Sequence, residues 1–321
     1  MAKDHYVSQT YLSSFSNNAG FLIPYYKRGR ITQGKSKSTS SICFEIDGDS
    51  NRLFSDPRIV DEYLRLFENN WATSVSALKN MQGGLDAKYA IAGYISFLQR
   101  CTPTAKRLAQ NYLTHDIQPL IEGVIKECIG DSKLEPDIRN LFEQHQNERC
   151  IEVEITPEYA HAMAINALVD GANSLFCSHW LVLFNNTEIP FITSDNPAVL
   201  YYENDHNCIA KTFIPLSPSL GVLITPFYIS GPPSKIDMQE FNHDNDLNRE
   251  IKEEYVYMFN ELIVRSAEKL VLHSEKKEWL STMVEKNKTW RVEALISKIS
   301  CEDSDITKYN IRAIDTGEAN S

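Results

Sequence analysis

Phe191-Ile-Thr-Ser-Asp-Asn-Pro-Ala-Val-Leu200 is the stretch on which the fold turns. Two apolar, β-prone runs meet there at a polar corner, Ser194-Asp195-Asn196-Pro197. Pro197 biases Asn196 toward extended backbone, and Asp195 is able to bond back to the chain two residues on. A carboxylate and an amide are thereby held at a strand end. The same chemistry also builds an ordinary turn, and both readings stay open at this point.

Around this corner the apolar residues come in short β-type runs, at 181–184, 189–193, 198–202, 208–214 and 220–225. Asn185-Asn186, Pro215-Leu-Ser-Pro218 and Pro226 punctuate them. Upstream the period is helical. Asp56-Pro57 opens a helix carrying Ile59, Tyr63, Leu66, Phe67, Val75 and Leu78 at helical spacing, and helical patterns continue to about residue 177. Downstream, Val256, Phe259, Ile263, Ala267 and Leu270 predict one long helix over 246–272, and further helices are expected as far as 299. Near the start, Tyr11, Leu12 and Phe15 predict a helical turn that places His5 and Gln9 on one face. A β-hairpin is expected over 20–46, with strands at 20–26 and 42–46. The expected fold is α+β: a helical layer (56–177) packed on a small, mainly antiparallel sheet (180–226), with a long late helix. Residues 1–300 are expected to form one domain and 301–321 a frayed tail.

Composition narrows the function. Hydrophobic residues make up 42% and charged residues 23%, as in an ordinary globular protein, and the net charge is −11. That balance argues against a general nucleic-acid coat and against binding to anionic membranes. A local basic head remains: no acidic residue lies between His5 and Phe44, while Lys27, Arg28, Arg30, Lys35 and Lys37 do. It suits either an anionic ligand, with RNA or a nucleotide the expected partner, or merely a solvated loop. The seven cysteines are widely spaced without a C-x-x-C, so no metal site and no disulfide framework is expected. No apolar run approaches the ~18 residues of a membrane helix, and the reading is of a cytoplasmic protein. The cofactor and the oligomeric state are not legible.

Two motif matches need testing. Ser194-Asp-Asn196 and Ser76-Ala-Leu-Lys79 match elements of serine penicillin-recognising enzymes. The third element is missing, since Lys211-Thr-Phe213 stands in place of K-T-G, and Ser76 falls deep in a periodic helix. No P-loop, nucleophile elbow, dinucleotide fingerprint or H-E-x-x-H occurs. Among the remaining polar residues His5 stands out as an imidazole where no core requires one, with Gln9 one turn on; a structural bond to the backbone is its plain alternative. Arg100 ends an apolar helix, where it suits the dipole or clamps an anion. Glu68 faces either the interior or solvent, and Asn260, beside Phe259, must find a partner if buried.

His5-Tyr-Val-x-Gln-x-Tyr-Leu-x-x-Phe15 resembles the opening signature of the bacterial domain-of-unknown-function family 4238, whose members begin with a similar His-Tyr-Val-Pro run. The helix ending in Gln99…Thr102-Pro103, the Ser194–Pro197 corner, the Pro215–Pro218 turn and Phe259-Asn-Glu-Leu-Ile-Val-Arg-Ser-Ala267 resemble later landmarks of that family, so the likeness spans about 3–274. Ser8 replaces the expected proline, and Cys101 stands where an arginine is expected, with Arg100 beside it. The resemblance implies a shared site without implying a reaction.

Three functions are expected. In the first, the protein is a hydrolase that cleaves phosphodiesters of RNA or a nucleotide, as a bacterial defence or toxin-type effector. His5 is its acid or base, Asp195 orients His5 or serves as a metal-binding carboxylate, Gln9 and Asn196 position the substrate, and Arg100, Lys27, Arg28 and Arg30 bind it. In the second, the same groups form a non-catalytic binding module of a regulatory or defence system. In the third, they are only turns and caps. A His5–Asp195 bond is the discriminating contact, worth about 1 kcal/mol of stability in a partly exposed cleft.

Overall fold

The computed structural model describes residues 2–29, 32–131, 133–148, 151–203, 209–226, 247–300 and 305–317. Its helical layer comprises α2 (Ile59–Lys79), α3 (Leu85–Cys101), α4 (Pro103–Gly130), α5 (Pro136–Glu148), α6 (Pro157–Asn166) and α7 (Leu168–Phe176), and no described residue between 56 and 176 is in a strand. Local chemistry starts several of these helices. Thr102 and Thr156 accept the N–H of Ala105 and Tyr159, each with proline in the first helical position. The short α1 (Gln9–Ser13) is capped in the same way by Ser8, which accepts from Tyr11.

From residue 179 the chain forms β5 (His179–Phe184), β6 (Thr193–Ser194), β7 (Val199–Tyr201), β8 (Lys211–Ser217) and β9 (Leu220–Thr225). With β10 (Leu247–Glu250) they build a five-stranded sheet of order β10-β5-β9-β8-β7, antiparallel except where β10 runs parallel to β5; β6 lies elsewhere. The period-2 alternation sorts its side chains to two faces. Trp180, Val182, Ile214, Leu216, Val222 and Ile224 pack with the helical layer, around a cluster in which Tyr11, Trp71 and Tyr94 stand 4.7–5.8 Å apart. Leu183, Phe213 and Leu223 face the other way, onto α8 (Glu253–Ser266) and α9 (Glu278–Lys286). There Phe213 stacks on Phe259 at 4.0 Å. The α+β class therefore holds, with the sheet covered on both sides.

A second sheet, of order β3-β2-β11-β6, is made by β2 (Phe21–Tyr26), β3 (Lys37–Ser38), β11 (Leu270–His273) and β6. The remaining strands form two pairs: β1 (Lys3–His5) with β4 (Phe44–Ile46), and β12 (Trp290–Ser300) with β13 (Asp305–Asp315).

Several local expectations change, beginning with the first long helix, which starts at Ile59 after Arg58 and not at Asp56-Pro57. His5 lies in β1, opposite Phe44, and shares no helix with Gln9, because the Ser8 cap starts α1 after it. The strands near 20–26 and 42–46 do not pair into a hairpin: β2 joins β3 and β11, while β4 joins β1. The long late helix is shorter, and 270–273 is a strand (residue 246 lies outside the described residues). Its stop is imposed from a distance, since Asp195 takes the N–H groups of Glu268, Lys269 and Leu270 that a further turn would need. Finally, 290–300 is a strand rather than a helix, and 305–315 pairs with it instead of fraying.

Candidate functional site

The α3–α4 corner supplies the first wall of a cavity of about 340 Å³. Gln99 and Arg100 come from the last turn of α3, and Thr104, Ala105 and Leu108 from the first turns of α4. Asn196, Ala198, Val199 and Leu200 line it from the corner after β6, and Ser266 from the end of α8. Val292, Ile311, Arg312 and Ala313, on β12 and β13, close the remaining side. The size falls within the range of small-molecule sites, roughly 300–1,000 Å³. Its polar lining holds two arginines and no carboxylate or imidazole among the described residues.

Arg100 is half-buried, and its Nη1 bonds Ser96 Oγ at 3.1 Å and, more weakly, Ser96 O at 3.4 Å. Among the described residues it forms no ion pair with a carboxylate. Burial pulls its pKa below the usual guanidinium range, outweighing a through-space attraction from Asp170, because withdrawing a cation from water without a directly paired carboxylate is costly. Gly171 makes its position possible: a Cβ there would stand 2.4 Å from the guanidinium Cζ. The amide of Asn196 is fixed, with Nδ2 donating to Ser266 O at 2.9 Å, and Gln99 Nε2 donates to Thr212 Oγ1 at 3.1 Å.

Asp195 has the opposite character. Its side chain is 2% exposed, and it accepts three backbone bonds, from Glu268 N (2.9 Å) on Oδ1 and from Lys269 N (2.7 Å) and Leu270 N (2.9 Å) on Oδ2. Burial pushes its pKa up to about 6, against the pull of those amides. The carboxylate thus staples the end of α8 to β6.

His5 is not its partner. The ring is half-buried against Phe44, its Nε2 has no hydrogen-bond partner among the described residues, and burial lowers its pKa despite a backbone hydrogen bond at Ser40. Gln9 is exposed on α1. Neither lines the cavity, so of the four expected catalytic residues only Asn196 reaches it, with Asp195 next in sequence. The expected Asp195 bond to the chain two residues on is replaced by Ser194 Oγ, which accepts Asn196 N at 3.1 Å.

The basic head is largely consumed internally. Lys27 is 2% exposed and donates to the carbonyls of Arg265 (3.0 Å), Ala267 (2.9 Å) and Trp290; burial lowers its pKa to about 8, despite attraction from Asp195 and Glu268. Arg28 pairs with Glu268 at 3.3 Å, and Glu268 also meets Arg107 and Thr104 at 3.1 Å each. Arg30 lies outside the described residues. Of the described residues among those expected to bind substrate, Arg100 alone lines the cavity. Asn260 is structural, its amide bridging Ile192 N and Pro190 O.

Thr104, Ser266, Gly171 and the β12–β13 wall escaped the sequence reading. The wall had a signal, since Trp290-Arg-Val-Glu-Ala alternates apolar and polar side chains as a strand does. No curated protein and no solved structure matches the chain. One family model does match, over residues 3–277, so that the cavity lies within the matched stretch except for its β12–β13 wall: the chain belongs to the family described as protein of unknown function (DUF4238).

Proposed function

We infer that this protein is a ligand-binding module whose cavity takes a small anionic molecule, the second of the functions expected from sequence. The observation that carries the reading is Arg100, a half-buried guanidinium without a carboxylate partner among the described residues, in a cavity whose described lining has no acidic side chain. Such a cation gains most from an anion that enters with its own charge and replaces lost water. Thr104 and Ala105, in the first turn of the 28-residue α4, add the favourable end of a helix dipole. The apolar remainder, including Leu108, Val199 and Ile311, suits the body of a small organic anion.

The phosphodiester hydrolase has weaker support. Its acid–base pair is not assembled, and the described lining offers no imidazole or carboxylate to move a proton. The test is calorimetric titration with inorganic phosphate and acetate on the wild type and Arg100→Gln. Binding of either anion is expected in the wild type, with at least about tenfold loss in the variant, the scale of one charge-assisted contact. Equal binding by both proteins, or by neither, would overturn the reading.

A further inference from the structure

We propose that the ligand is an aromatic anion, with its charged group in the cavity beside Arg100 and its flat body in a second, adjoining cavity. This rests on the anion-binding reading above. The second cavity is about 530 Å³, and Leu200, Arg312 and Ala313 line both. The two follow neighbouring strands: β7 and the residues after it supply 199–202, and β13 supplies 311–315. Tyr202 Oη donates to Ile311 O at 2.9 Å and ties the two strands together.

The chemistry of the second cavity differs from that of the first. Tyr201, Tyr202 and Trp290 contribute rings, and Met258 and Leu262 contribute adaptable apolar surface. All five are half-buried, so they present ring and hydrocarbon without being fully committed to the core. Arg265 lies 4.1 Å over Trp290, and Arg312 lies 4.4 Å over Tyr202, which holds these two rings in place. The charges here already have partners: Arg265 bonds Glu261 at 2.9 Å and Asn287 at 3.0 Å, and Asp315 accepts Gly317 N at 3.0 Å. A second anion has no reason to settle among them, whereas a neutral planar body buries its faces against rings and methionine. The anion therefore belongs with Arg100 and the aromatic body with Tyr201, Tyr202 and Trp290.

Two sources share this chemistry, a nucleoside monophosphate and an aromatic carboxylate. Calorimetry with adenosine monophosphate and indole-3-acetate, set against the bodiless anions inorganic phosphate and acetate, separates them. One aromatic anion is expected to bind about tenfold or more tightly than its bodiless counterpart, the gain that ring stacking supplies. Leu262→Trp, which fills the second cavity, should remove that gain and leave the bodiless anion bound as before. Met258→Trp, one turn away on α8, repeats the test if the first variant does not fold. If phosphate or acetate binds and neither aromatic anion binds better, or if both tryptophan variants leave the preference intact, this inference fails while the anion-binding reading stands. If no probe binds, both fail.

Discussion

Arg100 lines the cavity, and Asp195 stands one residue before Asn196, which also lines it; both are withdrawn from water, yet the fold treats them in opposite ways. Asp195 receives three amide N–H groups from 268–270, and nothing is left for a ligand to satisfy. Arg100 donates two bonds to one serine and, among the described residues, forms no ion pair, with Asp170 attracting it only through space. A buried polar group whose demand is met by the chain belongs to the architecture; one whose demand is unmet points outward. From sequence the two looked alike, each a charged residue at the end of an apolar run.

The largest expected effect lies on the Asp195 side. Asp195→Ala strands one buried and two part-buried donors; the buried one costs about 1–3 kcal/mol and the two that water can reach about 1 kcal/mol each, so the loss should be roughly 3–5 kcal/mol. Urea unfolding measures it. A loss under about 1 kcal/mol, the value expected from sequence for a His5 pair, would mean that the staple does not hold α8 and β6 together.

How far the sequence could see follows from these residues. The change from helical to strand period near residue 180 was legible because it is local, and so was the helical layer. The family resemblance was legible in short landmarks spread along the chain, and the family match bears it out. The end of α8 was not, since the carboxylate that stops it lies 73 residues away from Glu268. The cavity was half legible: Arg100 and Asn196 were singled out, but Gly171, Ser266 and the β12–β13 wall join them only in space. His5 misled because a strand, not a helix, carries it.

A second test concerns pH. His161 on α6 is 5% exposed, its Nε2 has no hydrogen-bond partner among the described residues, and burial lowers its pKa to about 4. Between about 6.5 and 4 the unfolded chain takes up a proton that the folded chain refuses, so His161 contributes stability above that window and loses it as the pH falls. The loss is up to about 3 kcal/mol. His161→Leu should flatten that part of the wild-type pH profile. The raised pKa of Asp195 acts with opposite sign in an overlapping window, so the difference between the two proteins is the quantity to read. Identical slopes would remove His161 from the account.

A smaller effect separates position from packing. Gly171→Ala puts a methyl where the Arg100 guanidinium lies, and the flexible end of the arginine must move. Stability should change by no more than about 1 kcal/mol, while phosphate affinity falls as it does in Arg100→Gln. Unchanged affinity would show that the present position of the guanidinium is not the one that binds.

The smallest effect is expected at His5. His5→Ala gives up a ring contact with Phe44 and a backbone hydrogen bond at Ser40 and should cost about 1 kcal/mol, with anion affinity unaltered. Loss of binding in this variant would return His5 to the site.

The contrast itself is tested most directly by melting temperature against phosphate concentration for the wild type, Arg100→Gln and Asp195→Asn. A ligand that binds only the folded chain raises its stability by RT ln(1 + [L]/Kd). Wild type and Asp195→Asn should both rise with phosphate, the second from a lower starting point, while Arg100→Gln starts near the wild type and stays flat. A phosphate-dependent rise in Arg100→Gln equal to that of the wild type, or its loss in Asp195→Asn, would contradict the division of roles between the two residues.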